Sequence, residues 1–104
     1  MTSNQPVKLI MTWDINPENE QDYFEFVIRE FIPGVQRLGC ELSDAWATVY
    51  GDQPQIMVSA VVSSLNRARQ MINCREWTDL NLKLLEYVHN YTQKIIPAKT
   101  GFQL

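Results

Sequence analysis

Alternation of apolar and polar residues marks the first element. In KLIMTWDI, Lys8 to Ile15, one face carries Leu9, Met11, Trp13 and Ile15, and the other carries Lys8, Ile10, Thr12 and Asp14. Period two over this length predicts a β-strand. The period changes at Asn16. Asn16 suits an N-cap, Pro17 suits the first helical position, and Glu18, Glu20 and Asp22 complement the helix dipole. Tyr23, Val27, Phe31, Val35 and Leu38 then recur at helical spacing, flanked by Phe24 and Ile28. Pro33-Gly34 interrupts this stripe. A proline there deletes one backbone hydrogen bond, so the helix is expected to kink or end early, with Gly39 as its C-terminal cap.

AWATVYGDQPQIMVSAVV, Ala45 to Val62, reads as two strands around the turn Gly51-Asp52-Gln53-Pro54. With a loop of those residues, Tyr50 pairs with Gln55. That register puts Ala45, Ala47, Val49, Ile56, Val58 and Ala60 on one face. Trp46, Thr48, Tyr50, Met57, Ser59 and Val61 take the other. Ser63 or Ser64 caps the next helical region, which breaks at Asn73-Cys74-Arg75. Trp77, Leu80, Leu84, Tyr87, Val88, Tyr91 and Ile95 predict a long helix that Pro97 stops. KTGFQL, Lys99 to Leu104, is expected to form the last strand.

Strand, helix, strand, strand, helix, strand is the βαββαβ order of a ferredoxin-like α+β fold. It implies a four-stranded antiparallel sheet in the order 4-1-3-2. Right-handed crossovers put both helices on one face of it. The small aliphatic face of the hairpin would meet those helices. The other face would expose Trp46, Tyr50, Met57, Val61 and Ile10, and a contiguous apolar patch of that kind marks an interaction surface. The expected partner is a second copy, two sheets closing face to face with Trp46, Tyr50, Met57 and Val61 in the contact. A stable contact of this sort removes about 800 Å² per partner.

Composition narrows the functions. The 104 residues fit one domain, taken as 1–104, and the 45% hydrophobic share argues against disorder. Net charge is −3, and the lysines and arginines are scattered from Lys8 to Lys99. Nucleic acid and anionic membrane surfaces are therefore poor partners. The polar opening MTSNQPVK and the lack of long apolar runs predict a cytoplasmic chain without leader or membrane span. Asn90-Tyr91-Thr92 matches a glycosylation sequon, which has no use in that setting. Cys40 and Cys74 are isolated. They read as reduced thiols rather than a zinc pair.

The stretches FVIREFIPGVQRLG, Phe26 to Gly39, and REWTDLNLKLLEYVHNYTQKIIP, Arg75 to Pro97, give the chain its likeness to a known group. From Lys8 to Leu104 it resembles the dimeric α+β barrel superfamily, with its antibiotic-biosynthesis monooxygenases, stress-responsive barrel proteins and NIPSNAP-like domains. The resemblance implies a dimeric barrel with a small-molecule cleft between sheet and helices, and a cofactor-independent monooxygenase or isomerase as the activity. Haem-degrading members use a helical histidine as iron ligand, which would fall to His89. No catalytic set transfers residue by residue, so no catalytic residue is named.

The candidate ligand-binding residues are Trp46, Thr48, Tyr50, Met57 and His89. The aromatic residues can hold a flat ligand while polar tips orient it, or they can pack a subunit contact. His89, the single histidine, reads equally as a helix-flank residue with a local hydrogen bond. Asp14 with Asp44 or Glu41 is a weak acid–base set, and Arg67, Arg69 and Arg75 read as a solvated face. Gly-rich phosphate loops and metal-ligand clusters are absent, so neither metal nor cofactor is expected. Two functions remain: a small hydrophobic or aromatic ligand in a cleft, with or without chemistry, and a non-catalytic dimeric module binding a ligand or a protein.

Overall fold

The computed structural model describes residues 5–48 and 54–98. Strand β1, Val7–Ile15, is followed by a 3-10 turn over Pro17–Asn19, helix α1 over Glu20–Phe26, a π-helical segment over Val27–Phe31, and helix α2 over Ile32–Arg37. Strands β2, Glu41–Ala47, and β3, Ile56–Val62, come next. Helices α3, Leu65–Ile72, and α4, Arg75–Leu84, precede β4, Val88–Pro97. The four strands form one antiparallel sheet in the order β2-β3-β1-β4. This is the ferredoxin-like α+β arrangement, with the expected strand order.

Hydrophobic periodicity sets the layers. Leu9, Met11 and Trp13 of β1 are almost wholly buried, and with Ala60 and Val62 of β3 they form the inner face of the sheet. Tyr23, Phe26, Phe31 and Val35 cover that face from one helical run, and Ala68, Met71, Trp77, Leu80 and Leu84 from the other. Ser64 starts α3, its side chain accepting the Arg67 N–H at 3.1 Å. Ser64→Ala is expected to cost about 1 kcal/mol, which a urea titration reads as a lower midpoint with unchanged slope.

Pro33 does not end the first helical run, but the regular α-helix is interrupted just before it. The backbone widens into the π turn just before it, Ile32 N–H reaching Val27 O, and α2 then runs through the proline to Arg37. The wider turn absorbs the donor that proline lacks. Gly39 follows at φ +114°, a left-handed conformation that glycine adopts without strain.

The hairpin pairs two residues away from the expected register. Ala47 faces Ile56, and Thr48 N–H bonds Gln55 O at 2.8 Å, where Tyr50 was expected to face Gln55. Gln55 is tied to the end of β1: its N–H donates to Asp14 Oδ1, and its Oε1 accepts the Ile15 N–H, both at 2.8 Å. A shift of two leaves each side chain on its expected face, because the pleat repeats every second residue. Val49 and Tyr50 lie outside the described residues.

The long second helix is the larger correction. It ends at Leu84, and Val88–Pro97 is the fourth strand, paired with β1 from Val7↔Pro97 to Ile15↔Val88. Asn90, at φ +57°, occupies a bulge between the Thr12↔Thr92 and Asp14↔His89 pairs. That extra residue puts Tyr91 three positions after Val88, and the inward position Gln93 is polar, so the apolar inward residues Val88, Tyr91 and Ile95 are spaced as on a helix and hide the strand period. The β-branched and aromatic content of VHNYTQKII suits the strand. The strand expected over Lys99–Leu104 lies outside the described residues.

Candidate functional site

The inner face of the sheet is not filled evenly. On the β2–β3 side the residues turned toward the helices are short: Ala45, and beside it Val58 and Ile56. The facing helical wall is Tyr23, Val27, Phe31 and Val35. Side chains of this size do not close the gap, and a cavity of about 360 Å³ remains between the two layers. Small-molecule sites begin at roughly 300 Å³. Leu42, Ser43 and Asp44 form its rim, on the edge strand β2, where a register shift between Leu42 and Asp44 loosens the ladder.

Trp13 forms the inner end of the cavity and is held on several sides. Phe31 meets it edge-on at 5.9 Å between ring centroids. Tyr91 stacks on it at 6.1 Å with the rings 16° from parallel. The Asn90 bulge is what brings Tyr91 to that position. Trp13 Nε1–H donates to the Tyr23 hydroxyl oxygen at 2.9 Å. Burial raises the Tyr23 pKa above its usual value, and the hydrogen bond from Trp13 opposes this more weakly. Tyr23 is therefore a neutral hydroxyl at neutral pH. Burial likewise raises Tyr91, whose hydroxyl lies 2.6 Å from Asn81 Oδ1.

The residues singled out from sequence lie elsewhere. Trp46 and Met57 are cross-strand partners on the outer face of the sheet, and neither lines the cavity. Thr48 follows β2 and bonds Gln55. Tyr50 lies outside the described residues. His89 is on β4 rather than on a helix, with Nδ1 2.6 Å from Asn16 Oδ1 and Nε2 4.0 Å from Asp14 Oδ2. Asp14 also accepts from Asn90 Nδ2 and from the Gln55 N–H. These two bonds, Asn90's the stronger, hold its carboxyl below the usual range, and nearby His89 helps. This cluster caps the strand ends, apart from the cavity. Cys40 and Cys74 are free. Burial pushes the Cys40 thiol up to about 11, which keeps it protonated and unreactive. Among the described residues no group of acids, histidines and cysteines could hold a metal ion, and no helix is long and apolar enough to cross a membrane.

The cavity-lining tyrosine was missed, although its signal was present. A tyrosine in an otherwise apolar helical stripe needs a buried partner for its hydroxyl. Trp13 on the inward face of β1 can supply one.

The outer face carries three cross-strand rows: Glu41, Val61, Lys8 and Ile96; Asp44, Ser59, Ile10 and Lys94; and Trp46, Met57, Thr12 and Thr92. Its acids lie on β2 at one edge and its lysines on β1 and β4 toward the other. Trp46 is 54% exposed and Ile96 36%.

Together these features define a ferredoxin-like α+β domain with an apolar chamber between sheet and helices. The sequence matches no protein-family model and no curated protein. Solved structures are similar throughout. A NIPSNAP family protein from Agrobacterium tumefaciens superposes with a TM-score of 0.69 at 19% identity, over 96% of this chain and 90% of its own. A second NIPSNAP family protein from that organism, of unknown function, gives 0.68 at 18% identity, covering 97% and 95%. A conserved protein of unknown function from Bacteroides thetaiotaomicron, described as a possible oxidoreductase, gives 0.67 at 11% identity, covering 90% and 98%. At these identities the likeness establishes a shared fold, the one expected from the NIPSNAP-like resemblance.

Proposed function

We propose that this protein binds a small hydrophobic, aromatic molecule in the chamber between its sheet and helices, and does so as a homodimer. The observation that carries the binding is the cavity itself: about 360 Å³, walled by aliphatic and aromatic side chains, with one buried tyrosine hydroxyl. A flat bicyclic ring system fits that volume and that lining. Among the described lining residues only Tyr23 and Asp44 carry acid–base side chains, which favours retention of a ligand over acid–base turnover.

Bicyclic aromatic probes test the reading by thermal shift. At about ten times Kd, linkage adds about 1.4 kcal/mol and raises Tm by roughly 5–10 °C. Val58→Trp puts an indole into the chamber and is expected to abolish the shift, with circular dichroism confirming the fold. A shift that survives Val58→Trp places the ligand elsewhere.

The outer face supports the dimer. Its acid edge and lysine edge become complementary when a two-fold axis lays one sheet over another, and the apolar side chains between them are then covered. An oxygenase version of the cavity reading is favoured by its largely apolar walls and by the possible oxidoreductase among the similar folds. It predicts dioxygen consumption on mixing with a hydroxylated aromatic, measured with an oxygen electrode. No consumption beyond the buffer control removes that version and leaves binding intact.

A further inference from the structure

Inside its polar rim of Ser43 and Asp44 the chamber is lined by apolar side chains and one buried tyrosine, and the way that hydroxyl is bonded says what it wants. The Tyr23 hydroxyl oxygen accepts the Trp13 Nε1–H at 2.9 Å, and Tyr23 is only 3% exposed. Among the described residues Trp13 is its only hydrogen-bond partner. An indole N–H can only donate, so the proton of the tyrosine is not used in that bond. It remains to be given to something in the chamber. Accepting from the indole also polarises the O–H and makes it a better donor.

We infer that Tyr23 is the specificity-determining residue of this site, and that it selects aromatic molecules bearing a carbonyl or other uncharged oxygen acceptor at one edge. This rests on the cavity reading. The ring system would lie among Val27, Val35, Ile56 and Val58, with its oxygen toward the Trp13 end. A plain aromatic hydrocarbon would fill the same space and leave the hydroxyl proton unmet, a penalty buried donors carry. A carboxylate would bring a charge into an apolar chamber with no cation among its described lining residues, and is selected against.

The test uses α-tetralone, a bicyclic aryl ketone, and tetralin, the same skeleton without the carbonyl. Both are titrated into the intact chain, the Tyr23→Phe variant and the Trp13→Phe variant by calorimetry. Tetralin is expected to bind the intact chain and Tyr23→Phe within about twofold, which reports on the cavity alone, and its affinity for Trp13→Phe measures what the smaller ring does to the inner end. Tyr23→Phe is expected to weaken α-tetralone by roughly tenfold, whereas Trp13→Phe, which keeps the tyrosine, should weaken it much less. The ratio of the two probes' affinities cancels their different solubilities in water. The carbonyl stretch of bound α-tetralone gives a second readout. It should lie at lower wavenumber in the wild type than in an aprotic solvent, and move back up in Tyr23→Phe. Equal binding of both probes by the wild type and Tyr23→Phe, with an unmoved carbonyl band, overturns the assignment and leaves the cavity standing. Loss of ketone preference in Trp13→Phe but not in Tyr23→Phe makes the indole the donor and also overturns it. Failure of tetralin and α-tetralone alike overturns the cavity reading and this inference with it.

Discussion

Met57→Arg is expected to be a folded monomer, and the unmodified chain is expected to sediment as a dimer. Met57 sits in the row Trp46, Met57, Thr12 and Thr92 across the outer face of the sheet, on an inner strand, between Trp46 and Thr12. Its side chain points away from the helices, so the change leaves the core untouched and circular dichroism should match the wild type. Between two packed sheets, however, an arginine would be desolvated with no anion opposite it. A buried, unpaired charge in an interface costs about 2–5 kcal/mol. Dimer dissociation should then strengthen by roughly thirtyfold to several thousandfold. Sedimentation velocity at tens of micromolar distinguishes the two states. A wild-type chain already monomeric there, or a Met57→Arg chain still dimeric, removes the outer face as the contact.

The other large effect concerns Trp13. Trp13→Ala is expected to destabilise the fold by about 3–5 kcal/mol, the usual range for truncating a fully buried aromatic residue. Several interactions fail together: the stacked contact with Tyr91, the edge contact with Phe31, and the donor that Tyr23 accepts. Domains of this size hold only about 5–15 kcal/mol in total, so the variant should be partly unfolded near physiological temperature. Urea titration by far-ultraviolet circular dichroism measures this without relying on indole fluorescence. A loss under about 1 kcal/mol would mean that the neighbouring rings collapse into the space, and that the inner end of the chamber is not rigid.

Much of the architecture could be read from residue periods alone. β1 alternates cleanly, and the stripe Tyr23, Val27, Phe31, Val35 is a helix face, so the first strand, the first helical run and the hairpin followed. The division of the hairpin into two faces survived a register error because the error was even. β4 was misread because Asn90 adds one residue between the inward positions Val88 and Tyr91, and a polar residue, Gln93, fills the inward position before Ile95, so the apolar spacings become three and four. A bulge is chosen by the partner strand, here by the offset between Thr12↔Thr92 and Asp14↔His89, and not by local propensity.

The site was less legible than the fold. A cavity is the space that Ala45 and Val58 leave below Tyr23 and Phe31, and it depends on how far apart two layers settle. Sequence reasoning favoured the outer-face residues Trp46 and Met57 because large side chains are conspicuous, whereas the chamber is defined partly by small ones. His89 drew attention as the single histidine, yet its neighbours Asn16 and Asp14 place it at a strand-end cap.

Methyl-resolved NMR of the intact chain titrated with α-tetralone tests the central claim most directly. The isoleucine and valine methyl groups of the chamber, Val27, Ile32, Val35, Ile56 and Val58, should shift together and saturate at one affinity. Those of the outer face, Ile10, Val61 and Ile96, should stay in place. Shifts confined to Ile10, Val61 and Ile96, or no saturable shift at any chamber methyl, would contradict a binding site between the sheet and the helices.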